Sequence, residues 1–385
     1  MKQLETVRLG IIGLGNMGKN HADQILGGKV PGLELTAVAD FDAKRLEKFD
    51  GLQRFTDATA LIKSGEIDAI LIATPHYDHT TLGIAALEAG LHTLVEKPIS
   101  VHKSDCERLI AAHTNKELVF AAMFNQRTDP AYLKLRELIQ SGELGTIQRI
   151  NWIITDWYRT ESYYRSGGWR ATWAGEGGGV LLNQCPHNLD LLQWLFGMPS
   201  KITANCQFGR FHDIEVEDAV TAMLEYPTGA TGVFITSTGE APGTNRLEVA
   251  ADHGKVVIEN DTFHYTRTET LVPDHLATES GGFNKPGVWN VQIPINGHGE
   301  QHVGIMKNFT NAILKGETLL APAAEGIHSV ELANAMLHSS FEKTTVELPL
   351  DGAVYETALK KRIETSTYVK PEIVPTEVAD MSSSF

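Results

Sequence analysis

The run Gly13-Leu14-Gly15-Asn16-Met17-Gly18 narrows the fold more than any other part of this 385-residue chain. Its G-x-G-x-x-G pattern is weak alone, and a glycine turn that binds nothing would carry it too. The surroundings give it weight. A β-branched apolar run over 7–12 leads into it, and a helix-compatible stretch leaves it through Ile25. A second apolar run, 33–39, ends at Asp40, 22 residues after Gly18. Each glycine then has a task. Gly13 makes the tight turn, Gly15 lets backbone approach a pyrophosphate, and Gly18 lets helix pack on strand. Leu14, Asn16 and Met17 share that turn. The helix it opens offers free N–H groups and a positive dipole end to phosphate. Asp40 would accept hydrogen bonds from an adenosine ribose diol and repel a 2′-phosphate. Phe41 follows it where a 2′-phosphate site often carries Arg, so NAD is expected ahead of NADP.

The first third continues this alternation. Apolar runs over 67–73, 91–95 and 118–122 are separated by helix-length amphipathic stretches such as 79–89 and 100–113. Strands alternating with helices predict a doubly wound parallel sheet. The nearly continuous apolar character of the strands fits a sheet covered on both faces. Near Asn125 the pattern changes. A helix over 130–140, stopped by Ser141-Gly142, precedes strand-like segments at 147–155, 202–208, 219–225, 231–237, 247–251 and 255–259. Asp252-His253-Gly254 reads as a hairpin turn. Helices are expected over 181–196 and 324–339, and loops over 239–244 and 278–296. The expected organisation is a dinucleotide-binding domain over 1–125 and an α+β domain with a large, mostly antiparallel open sheet over 126–373. A flexible tail is expected over 374–385.

Length agrees, since domains run to about 150 residues. Lys plus Arg is 33 against 48 Asp plus Glu, a formal charge of -15, which disfavours nucleic acid or an anionic membrane as partner. No run approaches a membrane-spanning length, and the first ten residues lack an apolar signal-peptide core. Cys106, Cys185 and Cys206 cannot build a disulfide framework, and their odd count fits a reducing compartment; a cytoplasmic location is expected.

Chemistry concentrates at two further places. The strand ending in Ala73-Thr74-Pro75 leads to His79, and the next strand ends in Glu96-Lys97-Pro98. In a doubly wound sheet these ends share the carboxyl edge, where ligands bind. Lys97 there could donate to a substrate hydroxyl or, with a lowered pKa, act as base. Chemistry alone leaves a surface lysine in a turn equally open. A cis bond before Pro98 is possible. His76 and His79 lack a third ligand, so no metal is expected. The second place is Gly177-Gly178-Gly179-Val180-Leu181-Leu182-Asn183-Gln184-Cys185-Pro186-His187-Asn188-Leu189-Asp190. Asn183 and His187 would share one helical face, and Asp190 would lie close enough to influence the ring. Pro186 predicts a kink or a late helix start.

The glycine loop, the Ala73-Thr74-Pro75…His79 turn, Glu96-Lys97-Pro98 and this glycine-led helix together resemble the glucose–fructose oxidoreductase/inositol dehydrogenase (Gfo/Idh/MocA) family over roughly residues 5–350. The resemblance implies a Rossmann N-terminal domain and an NAD-dependent oxidoreductase acting on CH–OH groups. It implies Lys97, His187 and Asn183 as catalytic residues, with proton removal assisted while hydride leaves for the nicotinamide. Many members carry Asp where this chain has Asn183. An amide positions a hydroxyl but takes no proton, which shifts the base role to His187 and leaves Lys97 to polarise the oxygen. The resemblance also implies cofactor contacts from Ala73, Thr74, Pro75, His79, Glu96, Lys97, Asn125 and the Trp169-Arg170 pair.

The aromatic segment 156–173 suits a sugar, with rings for C–H surfaces and planar polar groups for hydroxyls. Tyr158, Tyr163 and Trp173 are its weaker substrate candidates beside Lys97, Asn183 and His187, the competing reading being rings that only pack a domain interface. The expected substrate is a cyclic polyol or sugar, such as an inositol, a pyranoside or a sugar derivative, oxidised at a secondary ring hydroxyl. A redox-neutral glycoside-cleaving enzyme that retains NAD, or a non-catalytic dinucleotide-binding regulator, remain the alternatives. An open sheet face is a liability, so a homodimer or homotetramer through the C-terminal sheet is expected.

Overall fold

The computed structural model describes residues 5–371. The tail expected over 374–385 lies outside them.

Among the described residues the N-terminal strands are β1 (Val7–Ile12), β2 (Leu33–Ala39), β3 (Gln53–Phe55), β4 (Ala69–Ile72), β5 (His92–Val95) and β6 (Phe120–Ala122). They form one sheet in the order β3-β2-β1-β4-β5-β6, parallel throughout. Helices α1 (Asn16–Leu26), α2 (Ala43–Leu46), α3 (Ala58–Ile62), α4 (His76–Glu88) and α5 (Lys103–Ala112) supply the crossovers. Strand β4 is buried at every position, as expected when helices cover both faces. Strand β3 and the short helices α2 and α3 were not anticipated; they are too short to carry a readable period.

A 3-10 turn, Asn125–Thr128, leads to α6 (Pro130–Gln140). Its start is well marked because Pro130 occupies the first helical turn and the Asp129 carboxylate caps the Ala131 N–H at 2.8 Å. Then come β7 (Ile147–Ile154), α7 (Glu161–Arg165), α8 (Pro186–Phe196), β8 (Lys201–Phe208), β9 (Glu217–Glu225), β10 (Thr231–Ser237), β11 (Asn245–Ala251), β12 (Gly254–Glu259) and β13 (Thr262–Thr268). The chain closes with α9 (Val272–Thr278), β14 (Val288–Ile293), α10 (Gln301–Lys315), α11 (Gly326–Glu342), β15 (Val346–Glu347) and α12 (Gly352–Thr365). The second sheet runs β14-β13-β12-β11-β7-β10-β9-β8-β15 and is antiparallel except for β7 with β10. Helices α8 and α11 cover one face around buried Trp152, Phe234 and Leu224. On the other face alternate residues such as Met223 are exposed.

Three expectations need correction. The helix expected over 181–196 begins only at Pro186, because proline costs nothing in a first turn whose N–H has no partner anyway; residues 180–185 form turns. The loop expected over 278–296 contains β14, an edge strand whose exposed positions hide its apolar period. The second domain, expected over the whole of 126–373, gives part of itself back. Ile305, Met306 and Phe309 of α10, with Ala321 and Ala323, pack in the core of the first sheet, and Pro322 bridges to Ala121 of β6.

Candidate active site

The glycine turn is built by close contact. Gly13 sits at φ +89, and a Cβ on Gly18 would fall 1.8 Å from the Gly13 carbonyl oxygen. A Cβ on Gly15 would meet nothing within 4 Å. The turn therefore packs against the protein at Gly13 and Gly18 and opens to a ligand at Gly15. Helix α1 starts at Asn16 with no side-chain cap, so its first-turn N–H groups keep their anion-binding capacity. Asp40, at the end of β2, is buried and grips the turn: Oδ2 accepts from the Leu14 N–H at 2.7 Å and Oδ1 from the Asp42 N–H at 2.9 Å. Arg45 reaches Asp40 at 3.2 Å and is shared with Asp42. The Thr74 hydroxyl, beside this turn, and the Asn125 Oδ1, after β6, are buried with no partner among the described residues. Orphaned polar atoms at the carboxyl edge of the sheet, with an open glycine loop and a bare helix N-terminus, fit a bound dinucleotide.

The remaining carboxyl-edge residues fall into two groups. Pro75 precedes α4 at its cap position and Ala73 continues β4, its N–H donating to the Ile12 carbonyl at 2.8 Å. His79 was expected to touch cofactor. Instead its ring is buried between two backbone carbonyls, Nδ1 2.7 Å from Pro98 O and Nε2 2.9 Å from Thr74 O. It ties the two turns together. Glu96 is likewise turned inward: Oε1 is 2.6 Å from His21 Nε2, and Oε2 accepts from the Lys97 N–H at 3.1 Å. The Asn125 side chain is fully buried and donates to Gln301 Oε1 at 2.7 Å.

Lys97 precedes a cis bond to Pro98, and its Nζ donates to the Asn183 main-chain carbonyl at 2.7 Å. Burial lowers its pKa, opposed mainly by the Glu96 charge. His187, in the first turn of α8, is 4% exposed, and its Nδ1 has no partner among the described residues. Burial, with Lys97 and His302 adding to it, holds its pKa well below the ordinary value, so the ring is neutral at neutral pH.

Asn183 lies in the turn before α8 rather than on its face. Its Oδ1 accepts from the Tyr163 hydroxyl at 3.1 Å and from Gln184 at 3.2 Å, and its Nδ2 donates to Glu176. Arg170 donates to the Tyr163 hydroxyl at 2.9 Å, with its guanidinium over the rings of Tyr163 and Trp169. The Trp169 ring meets His76 edge-on at 5.2 Å. Tyr163, Arg170 and Asn183 thus form one network against Lys97. Tyr158 is half exposed, outside that network. Trp173 corrects the sequence reading: its ring is 3% exposed and packed on Phe208 and Phe341, too deep to meet a substrate. Asp190 does not partner His187. It forms a two-point ion pair with fully buried Arg127 at 2.6 and 2.7 Å.

Sequence reasoning missed Glu176, His21, His302 and the role of Arg127. Glu176 directly precedes the glycine run, and its Oε2 accepts from the N–H of Ala171 at 2.6 Å, a non-glycine residue held at φ 58. Burial raises the Glu176 pKa, opposed by Arg170. That position beside the motif was the available signal; nothing local marks His302.

A glycine turn, an acidic residue closing the second strand and a lysine at the sheet's carboxyl edge define a dinucleotide-dependent oxidoreductase. Comparison with known proteins agrees. The model for the oxidoreductase family's NAD-binding Rossmann fold matches residues 7–124, and that for the GFO/IDH/MocA C-terminal domain matches 132–257. The chain belongs to the Gfo/Idh/MocA family and is an NAD-dependent oxidoreductase. It is 24% identical to the myo-inositol 2-dehydrogenase of Thermotoga maritima, over 89% of this chain and 98% of the relative. It is also 24% identical to the levoglucosan dehydrogenase of Pseudarthrobacter phenanthrenivorans, over 90% and 99%. Among solved structures, the WlbA dehydrogenase of Chromobacterium violaceum, with NADH and UDP-GlcNAcA, superimposes with a TM-score of 0.77 at 25% identity, covering 90% of this chain and 97% of that one.

Proposed function

We propose that the chain oxidises a secondary ring hydroxyl of a cyclic polyol or sugar to a ketone. The observation that carries this reading is the contact of Lys97 Nζ with the Asn183 carbonyl, in the same buried patch as neutral His187. A bound nicotinamide supplies the hydride acceptor at its C4. The protein does the rest. Gly15 and the first turn of α1 would receive the cofactor's pyrophosphate, and Asp40, which grips the glycine turn, would hold that turn in place for it. Lys97, as a cation, polarises the substrate oxygen. His187 takes the hydroxyl proton, its depressed pKa leaving a lone pair free at working pH. Asn183 holds Lys97 through its carbonyl, while Tyr163 and Arg170 fix Asn183 and wall the substrate. Three buried, unpaired cysteines fit a cytoplasmic enzyme, and the open face of the second sheet fits a homodimer or homotetramer.

The test is NADH absorbance with purified protein, NAD and a panel of inositols, glucose, glucosides and anhydro-sugars. Signal with one class is expected. Silence across the panel, with NADH binding demonstrated separately, would contradict the reading.

A further inference from the structure

Glu96 occupies a place from which a side chain could reach cofactor, yet its carboxylate points into the protein. The residue is 5% exposed, and its two oxygens go to His21 and to the Lys97 N–H. An ionised carboxylate in such a place needs partners. Burial is the largest single influence and pushes its pKa up, but the His21 bond together with the electrostatic effects of His21, His302 and Lys97 outweighs it and the group lies at about 2, so it is charged at neutral pH. A carboxylate facing Nε2 requires the proton there, so His21 donates. Its Nδ1 is buried without a partner among the described residues. His21 belongs to α1, the helix opened by the glycine turn, so this bond joins the cofactor helix to the catalytic turn.

The consequence falls on Lys97. Burial, Arg170 and Arg159 all disfavour its charge, and Glu96 is the largest influence in the other direction, ahead of Glu176. His76 on α4, His187 on α8, His302 on α10 and Cys185 before α8 also lie within electrostatic reach. His302 and His79 face Glu96 as well. Every one of these residues is a histidine that burial disfavours charging, or a thiol. Glu96 is therefore the counter-charge nearest Lys97 in sequence and the strongest in effect.

We propose that Glu96 and His21 are positioning residues that hold Lys97 as a cation: His21 fixes the Glu96 carboxylate, and Glu96 grips the Lys97 backbone and offsets its burial. This rests on Lys97 being the group that polarises the substrate oxygen.

The test is the pH profile of kcat with NADH affinity measured on the same samples. Removing the charge with Glu96→Gln lowers the Lys97 pKa, so the alkaline limb is expected to move about one pH unit or more to lower pH. His21→Leu removes the donor, lets Glu96 take a proton, and is expected to move the limb in the same direction. His21→Gln keeps an N–H donor and is expected to leave the limb in place. NADH affinity should stay within about twofold in all three, under 0.5 kcal/mol. An unmoved limb in both Glu96→Gln and His21→Leu overturns the proposal. So does a loss of NADH affinity with an unmoved limb, which would make Glu96 a cofactor ligand. Failure of both variants to fold beside a wild-type-like His21→Gln would assign the pair to structure alone. Lys97→Met separates the two claims: if turnover survives it, the reading of Lys97 fails wherever the limb lies.

Discussion

The two walls of the site are made differently. The cofactor wall is backbone: a glycine turn, a helix N-terminus and strand ends, with Asp40 26 residues from the Leu14 N–H it holds. The substrate wall is side chains brought from afar. Lys97 meets the Asn183 carbonyl across 86 residues, and Arg127 meets Asp190 across 63. A backbone wall depends on which positions lack a Cβ. A side-chain wall depends on buried charges finding their partners, so it should be the more fragile of the two.

The sharpest way to break this contrast is Asp190→Asn. It leaves the fully buried Arg127 with Glu325, itself half exposed, as its remaining carboxylate. Losing one partner of a buried pair costs about 3–5 kcal/mol. Denaturant unfolding should show that loss, and unchanged stability would mean that the wall does not hang on this pair.

A second test uses Glu217, which supports the turn leading to Asn183 by accepting from the Gly179 and Leu181 N–H groups at 2.9 and 3.0 Å. Its Oε2 has no partner among the described residues, and burial raises its pKa from 4.5 to about 7. Between those values the folded chain holds a proton that the unfolded chain has released. Stability from this group is therefore full below the lower value and falls as pH rises through the upper one, by on the order of 3 kcal/mol. Glu217→Gln should flatten that part of the stability–pH curve. An identical curve for the variant would show that Glu217 does not titrate there.

The smallest effect belongs to the backbone wall. Gly15→Ala meets no protein atom within 4 Å, so stability should hold while NADH affinity falls about tenfold, near 1.4 kcal/mol. Unchanged affinity would place the pyrophosphate elsewhere.

The same contrast explains what the sequence could tell. Gly13 to Gly18 and Asp40 were readable because a tight turn and a strand end constrain neighbouring residues. Helix α6 was readable because Asp129-Pro130 and Ser141-Gly142 punctuate it. Glu176, His302 and the Arg127–Asp190 pair were not, because their partners are set by packing between distant segments, which no spacing records. Asp190 was paired with the wrong residue for that reason: three positions from His187 is close in a helix, but Arg127 offers a full charge. Trp173 was misplaced because an aromatic-rich loop looks alike whether its rings face a sugar or fill a core.

Lys97 is where both walls meet, at the end of a strand of one and in contact with the other. The most direct measurement is the rate of NADH formation by Lys97→Met against the unaltered protein, with NADH affinity determined on the same samples. Turnover is expected to fall about 10²- to 10⁴-fold, with affinity within about twofold. Turnover equal to that of the unaltered protein would contradict the account, because the junction of the two walls would then have no part in the reaction.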